Sequence, residues 1–215
     1  MRALSSLALF DFDGTITWSD TWTPFMRLAT RPSRMAAGRV LLGPVVVGYR
    51  LGVVSASRGR RLAARVAYTG ESAAAIRRIG NEYATGVLPG KLRPEALDRI
   101  EWHRSRGDHV VVVSGSLDVY LEPWCAARGL DCICTRLEAS NGTLTGKYVG
   151  GDCSGAEKVR RVLQRYDLAG YDLVYAYGDS GEDRELLEIA HRKSYRWTEI
   201  ASWSDVTAFD HPPAR

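Results

Sequence analysis

Two aspartates one residue apart, Asp11 and Asp13, close the apolar run LALF and are followed at once by Gly14 and Thr15. Like charges at that spacing repel unless a proton, a cation or a water-rich mouth separates them. Two further acids, Asp179 and Asp183, stand in the stretch GDSGED, with Ser180 between them, and Ser114-Gly115 (in SGS) and Lys158 (in GAEK) lie in the intervening chain. These types share one chemistry. A carboxylate such as Asp11 can attack phosphorus in line and carry the phosphoryl group as an aspartyl-phosphate. Asp13 can protonate the leaving oxygen and later deprotonate water, provided its surroundings lift it above the ordinary carboxylate value of about 3.9. The Ser114 hydroxyl and the Gly115 amide can hold equatorial oxygens, and Lys158 supplies a point charge. Four carboxylates in one crevice require a cation, and an all-oxygen donor set beside a phosphate suits Mg²⁺. Each residue also has a plainer reading: Ser114 as a helix cap, Lys158 as a solvated helix residue, Asp183 as an acid at a helix start.

The elements that must position these residues follow from the apolar pattern. LALFDFD reads as a buried strand ending at the turn DGT. Residues 20–88 read as helical throughout, with apolar residues three and four apart. From there the chain alternates: helix 94–106, strand HVVVVSGS, helix LDVYLEPWCAARG and strand DCICTRLE. A hairpin follows about Asn141-Gly142, then helix 155–166, strand YDLVYAYGD, helix EDRELLEIA and a last short strand KSYRW. Strands apolar on both sides predict an α/β fold, a doubly wound, mostly parallel, Rossmann-like sheet with a helical cap inserted after the first strand. The expected division is a catalytic core of residues 1–17 and 91–215 and a cap of 18–90, hinged near Thr17 and Lys91. Ligands of such sheets sit beyond the carboxyl ends of the strands, where DFDGT, SGS and GDSGED fall.

The set DFDGT, VVVVSGS, GAEK and GDSGED resembles, in order and spacing, the motifs of the haloacid dehalogenase superfamily of phosphohydrolases. With an insertion after the first motif and the hairpin before its lysine segment, the chain is similar to the phosphoserine-phosphatase-like branch. The resemblance implies Asp11 as nucleophile, Asp13 as acid/base, and Mg²⁺ held by Asp11, the Asp13 carbonyl and Asp179. It further implies Thr15, Gly115 and Asp20 as substrate-binding residues, with Asp183 and Ser180 in support. The second aspartate sets the chain apart from true dehalogenases. Asp20 stands where phosphoserine phosphatases carry a longer glutamate that holds the substrate amine, which turns the expectation away from phosphoserine. The stretch SYRWTE looks like the phosphatidylglycerophosphatase-type relatives. The expected activity is Mg²⁺-dependent hydrolysis of a small or lipid-linked anionic phosphomonoester, the alternatives being a phosphotransferase or a phosphoserine phosphatase using the same site.

Composition sets the outer bounds. At 215 residues, 45% hydrophobic and 25% charged, the chain is of the folded globular kind. Four cysteines without CxxC spacing exclude a zinc ribbon and fit a reducing cytoplasm, and the N-terminal apolar run is broken by charge too early for a signal peptide. The net charge is +4, yet residues 18–90 hold 11 Arg and no Lys against three acids, so 11 − 3 = +8 in that segment alone. Two readings stand for it and for its apolar stretch VLLGPVVVGYRLGVV (40–54): solvated helix faces over a buried helix pair, or a basic, apolar surface making peripheral contact with a membrane. The expected partner is a phosphorylated small molecule or lipid, not nucleic acid, and no motif sets an oligomeric state.

Overall fold

The computed structural model describes residues 5–206. Seven strands form one sheet in the order β4-β3-β2-β1-β5-β6-β7. They are β1 (Leu7–Phe10), β2 (His109–Leu117), β3 (Asp131–Ser140), β4 (Thr143–Val149), β5 (Val174–Gly178), β6 (Arg192–Tyr195) and β7 (Thr198–Ile200). Pairing is parallel from β3 through β6, and the outer strands β4 and β7 run antiparallel to their neighbours. The sheet is therefore mixed and mostly parallel, with β1 central between β2 and β5, as the buried runs predict.

Alternation along the central strands divides the interior into two layers. Leu7, Leu9, Val111, Val113, Val174 and Ala176 face the core beneath α8 (Ala156–Arg165) and α9 (Arg184–Glu188). Ala8, Phe10, Val110 and Val112 face the other, beneath α6 (Pro94–Ser105) and α7 (Asp118–Ala126). The same second core takes in Phe25, Tyr68, Ile76 and Tyr83 from three of the five helices between β1 and α6. Those helices are α1 (Trp22–Ala29), α2 (Pro32–Leu41), α3 (Gly43–Arg50), α4 (Ala56–Tyr68) and α5 (Ala73–Gly86). Ser55 and Ser72 begin α4 and α5 by accepting from the amides of Arg58 and Ala75, and prolines open α2 and α6 where a missing N–H costs nothing.

The chain enters and leaves this helical region side by side. Trp18 N donates to the Lys91 carbonyl at 2.9 Å and Arg93 N to the Ile16 carbonyl at 2.9 Å. The Arg93 guanidinium lies 4.2 Å from the centre of the exposed Trp18 ring. Trp22, by contrast, is buried.

Two local expectations are corrected. The stretch KSYRW is not one strand: β6 ends at Tyr195, and Arg196 (φ 49°) and Trp197 (φ 65°) make a left-handed turn into β7. Such turns ordinarily take Asn or Gly, so the sequence carries no signal for this one. Residues 40–54 are not a buried helix pair either. Nothing in α2 is buried and only Gly48 is in α3. The Asn141-Gly142 hairpin forms with both residues left-handed (φ 50° and 76°), as its sequence predicts. Among the described residues, no helix is long and apolar enough to cross a membrane.

Candidate active site

The site is built at the carboxyl ends of β1, β2 and β5. Asp11 leaves β1 with its amide bound to the Tyr177 carbonyl of β5 at 2.9 Å, and the next residues coil into a tight turn instead of extending the strand. Gly14 explains the DGT pattern. Its φ is +83°, and a Cβ there would collide with Asp179, falling under 3.0 Å from the carboxylate. The missing side chain lets the loop after β5 close onto the loop after β1. Thr15 Oγ1 donates to Asp179 Oδ1 at 3.4 Å across the same gap.

Lys158 ties three elements together from the first turn of α8. Its buried ammonium donates to Asp11 Oδ1 at 2.5 Å and to Asp183 Oδ1 at 2.6 Å. Burial alone would depress this ammonium, but the two carboxylates push it above the ordinary lysine range. Asp183 is wholly buried, and its second oxygen accepts from the amides of Asp179 and Ser180 and from the Ser180 hydroxyl. One aspartate thus shapes the loop that presents Asp179 and shares the lysine with Asp11. Gly178 permits this, because a Cβ there would fall 2.5 Å from the Asp183 Cβ.

Ligand oxygens of Asp11, Asp179 and Asp183 lie within 4.8 Å of one another. The mutual repulsion is visible in their acidities: burial and then the Asp183 charge raise Asp11, against the pull of Lys158, and the same two causes lift Asp179 to about 7. A hard divalent cation fits this group, since the donors are all oxygen and one lysine leaves the cluster negative.

The Asp13 carboxylate lies outside that group of three and has partners of its own, although its charge still raises Asp179. Its Oδ1 accepts from the Thr21 amide and hydroxyl at 2.7 and 2.6 Å, and its Oδ2 from Ser116 Oγ at 2.5 Å. Burial, then the nearby Asp20 charge, hold its acidity up at about 6 in spite of these three donors. Tyr120 donates to Ser116 at 2.8 Å and Tyr83 to the Thr21 carbonyl at 3.0 Å, so the donors are themselves fixed. Ser116, Thr21, Tyr120 and Tyr83 escape a motif reading. Ser116 alone left a trace, since two residues on from Ser114 in a strand it shares that residue's face.

Ser114 is buried and its Oγ accepts from the Ser116 amide at 3.1 Å, within the irregular register that ends β2. Gly115, next to it, borders Arg60 of α4, whose guanidinium would lie 3.7 Å from a Cβ placed there. Arg60 donates to Asp152 Oδ2 at 2.8 Å and to Glu182 Oε2 at 2.9 Å. It therefore bridges the inserted helices to the loop before α8 and the turn after β5. Arg196, in the left-handed turn after β6, donates from Nε to the Asp179 carbonyl at 3.1 Å. Asp20 is exposed, its carboxylate accepts from the Trp22 and Thr23 amides at the start of α1, and its charge acts on Asp13.

The profile of the haloacid dehalogenase-like hydrolases matches residues 8–188, from β1 through α9. The chain belongs to that family. Among curated relatives it is similar to protein CicA of Caulobacter vibrioides, 34% identical over 88% of this chain and 85% of that one. It is also similar to a probable phosphatase of Mycobacterium tuberculosis, 34% identical over 55% of this chain and 42% of that protein. Among solved structures, a protein of unknown function from Bordetella pertussis Tohama I superposes with a TM-score of 0.77 at 25% identity, covering 90% of each chain. A phospho-aspartyl intermediate analogue of phosphoserine phosphatase gives 0.63 at 21% identity, covering 89% of this chain and 86% of that one. This haloacid dehalogenase-like hydrolase accordingly shares its fold with the phosphoserine phosphatases, and its inserted helices α1–α5 lie where that family carries its cap.

Proposed function

We propose that the protein is a phosphomonoester hydrolase in which Asp11 takes the phosphoryl group and Asp13 moves the protons. The observation that carries this reading is the separation of the two carboxylates. Asp11 sits in a charge-paired cluster with Lys158, Asp179 and Asp183, whereas Asp13 is withdrawn into its own shell of hydroxyl and amide donors and held near pH 6. Two aspartates of one turn with environments this different suit two roles.

In the reaction Asp11 attacks phosphorus as the ester oxygen departs, and Asp13 protonates that oxygen. Water then attacks phosphorus, the bond from Asp11 to phosphorus breaks to free inorganic phosphate and the Asp11 carboxylate, and Asp13, now ionised, takes the water's proton. Lys158 draws Asp11 toward its ionised form, against burial and the Asp183 charge. Ser114 and the Gly115 amide border the space an equatorial oxygen would fill, and Arg60 adds positive charge at its edge. Mg²⁺ would be held by Asp11, Asp179 and the Asp13 carbonyl, where it offsets the negative charge shared by carboxylate and phosphate. Residues 18–90 act as a cap over the core of 1–17 and 91–215, and Arg60 fastens α4 to the core rim.

Phosphoserine is disfavoured among substrates because Asp20, the counterpart of the amine-holding glutamate, is engaged in capping α1. The test is a phosphate-release screen over phospho-amino acids, sugar phosphates, nucleotides and lipid phosphates with Mg²⁺, alongside Asp11→Asn. Selectivity above about tenfold, or about 1.4 kcal/mol in transition-state binding, identifies the substrate class. Competing alcohols in the same assay separate transfer to water from transfer to another acceptor. Equal release by Asp11→Asn would overturn the reading.

A further inference from the structure

The two short helices α2 and α3 behave unlike the rest of the inserted region. α1, α4 and α5 each bury apolar residues in the shared core, but α2 buries none and α3 only a glycine. They pack chiefly on each other and on α4. Six aliphatic side chains along the end of α2, α3 and the turn after it are exposed: Val40, Leu41, Val46, Val47, Leu51 and Val53. Val40, Leu51 and Val53 show more than two thirds of their surface, at 78, 71 and 75%. A contiguous apolar run left in water in this way marks a contact surface.

Charge decides what it contacts. Residues 21–70 contain nine Arg and not one acid or Lys. Arg31 and Arg34 pair with Glu71, and Arg60 with Asp152 and Glu182. Arg27, Arg39, Arg50, Arg58, Arg61 and Arg65 form no ion pair among the described residues. Arg39 precedes the apolar run and Arg50 lies within it, and Arg61 and Arg65 line a groove of about 200 Å³ with Lys147 and Tyr148. A second copy of the chain is a poor occupant, since a two-fold contact would set one arginine-rich face against another.

We propose that α2 and α3 dock the protein on an anionic lipid bilayer, with their aliphatic residues among the acyl chains and their arginines at the headgroups. At 1.5 Å per residue the ten residues of α2 and eight of α3 span about 15 and 12 Å. Neither crosses a hydrocarbon layer of about 30 Å. Both suit burial in the interface to a depth of about 5–10 Å, with basic side chains held at headgroup level. Docking does not depend on the phosphatase reading. Only its bearing on substrate, a phosphomonoester carried on a lipid, rests on that reading.

The experiment is co-sedimentation of the full chain, without metal or substrate, with vesicles of phosphatidylcholine alone or with about one third phosphatidylglycerol. Binding is expected at least about tenfold tighter to the anionic vesicles, weakening as salt rises toward about 1 M, where the Debye length falls to about 3 Å. Val47→Ser/Leu51→Ser, which changes no charge, is expected to lose about tenfold or more with its helical circular dichroism intact. Arg39→Gln/Arg50→Gln is expected to lose the preference for anionic lipid. Three results would overturn the proposal: no sedimentation of wild type, equal binding to both vesicles, or serine variants that bind like wild type. A dimer seen by ultracentrifugation and abolished by the serine variants would do so as well, by assigning the face to a second copy. Aryl phosphate hydrolysis measured without vesicles reports separately on the phosphatase reading.

Discussion

Ser116 donates its hydroxyl to Asp13 Oδ2 at 2.5 Å while Thr21 holds Oδ1 through both amide and hydroxyl. These bonds favour the ionised carboxylate and oppose the burial that lifts it to about 6. Removing the Ser116 hydroxyl takes away a force that lowers the pKa, so Ser116→Ala moves Asp13 further up. With Asp13 taking water's proton as proposed, the acid limb of the kcat profile is expected to shift toward higher pH. A profile unchanged between about pH 5 and 8 would show that Asp13 is not the group that titrates.

The two aspartates of the first turn are expected to fail differently. Asp11→Asn yields no acid-stable or base-labile phosphoenzyme at all. Asp13→Asn keeps the fold but slows both formation and breakdown of the intermediate by about 10²- to 10⁴-fold, most with poor leaving groups. Rapid-quench measurement with a labelled phosphomonoester reads both. Retention of more than about half the rate by Asp13→Asn on a poor leaving group would remove Asp13 from its role.

Lys158 separates the electrostatic contribution from the chemical one. With the ammonium gone, Asp11, Asp179 and Asp183 face one another without a counter-charge, and breaking such a buried pair costs about 3–5 kcal/mol. Lys158→Met is therefore expected to unfold at lower urea than wild type, and added Mg²⁺ to recover part of the loss. In the wild type Mg²⁺ at a hundred times its Kd is expected to add about 2.7 kcal/mol, and a chelator is expected to abolish activity. A stability indifferent to Mg²⁺ in both proteins would argue that the carboxylate cluster holds no cation.

Much of this site was legible because its residues lie in short local patterns. DFDGT names a strand end, a turn that needs glycine and two acids in one phrase, and Gly14 is there for the reason the phrase suggests. The sheet was legible too, since β1, β2 and β5 are apolar on both faces. What stayed hidden depends on contacts across long separations. Arg60 meets Asp152 and Glu182, 92 and 122 residues away, and nothing local distinguishes it from its neighbour Arg61. The orientation of Asp13 away from the cluster depends on Thr21 and Ser116, which no spacing rule connects. The left-handed Arg196-Trp197 turn defies turn propensity, and the Asp179 carbonyl that Arg196 holds is visible only in three dimensions.

Gly80 tests how firmly the cap sits on the core. In α5 it approaches α7 so closely that an added Cβ would collide with the Val119 carbonyl. At an ordinary exposed helix position Gly→Ala stabilises by about 1 kcal/mol, but here the methyl must displace backbone, at a cost of about 1–3 kcal/mol. Gly80→Ala is expected to lower the thermal midpoint and to increase proteolytic cutting near Thr17 and Lys91. A variant more stable than wild type would mean that α5 moves freely away from α7.

His103 gives the fold a pH dependence outside the carboxylate cluster. It is wholly buried, with Nδ1 2.8 Å from Asp108 Oδ2 and Nε2 2.9 Å from the Tyr177 hydroxyl, packed edge-on against Phe10, Trp102 and Tyr175. Burial lowers its pKa below 6.5, helped by the charges of Arg99 and Arg106 and opposed by Asp108. The folded protein thus binds this proton less readily than the unfolded chain. Stability from this group is complete above about pH 6.5 and is lost as pH falls toward the lower folded value, with a slope of at most about 1.4 kcal/mol per pH unit. Asp118, raised to about 6, works in the opposite sense, contributing at low pH and losing that contribution as pH rises. Comparing wild type with His103→Gln cancels Asp118 and every other shared group. Urea unfolding at about pH 8 and pH 5.5 is expected to show wild type losing more stability on acidification than the variant. Equal losses in the two proteins would mean that burial does not lower the His103 pKa, and a smaller loss in wild type would mean that the ring is held as a cation against Asp108.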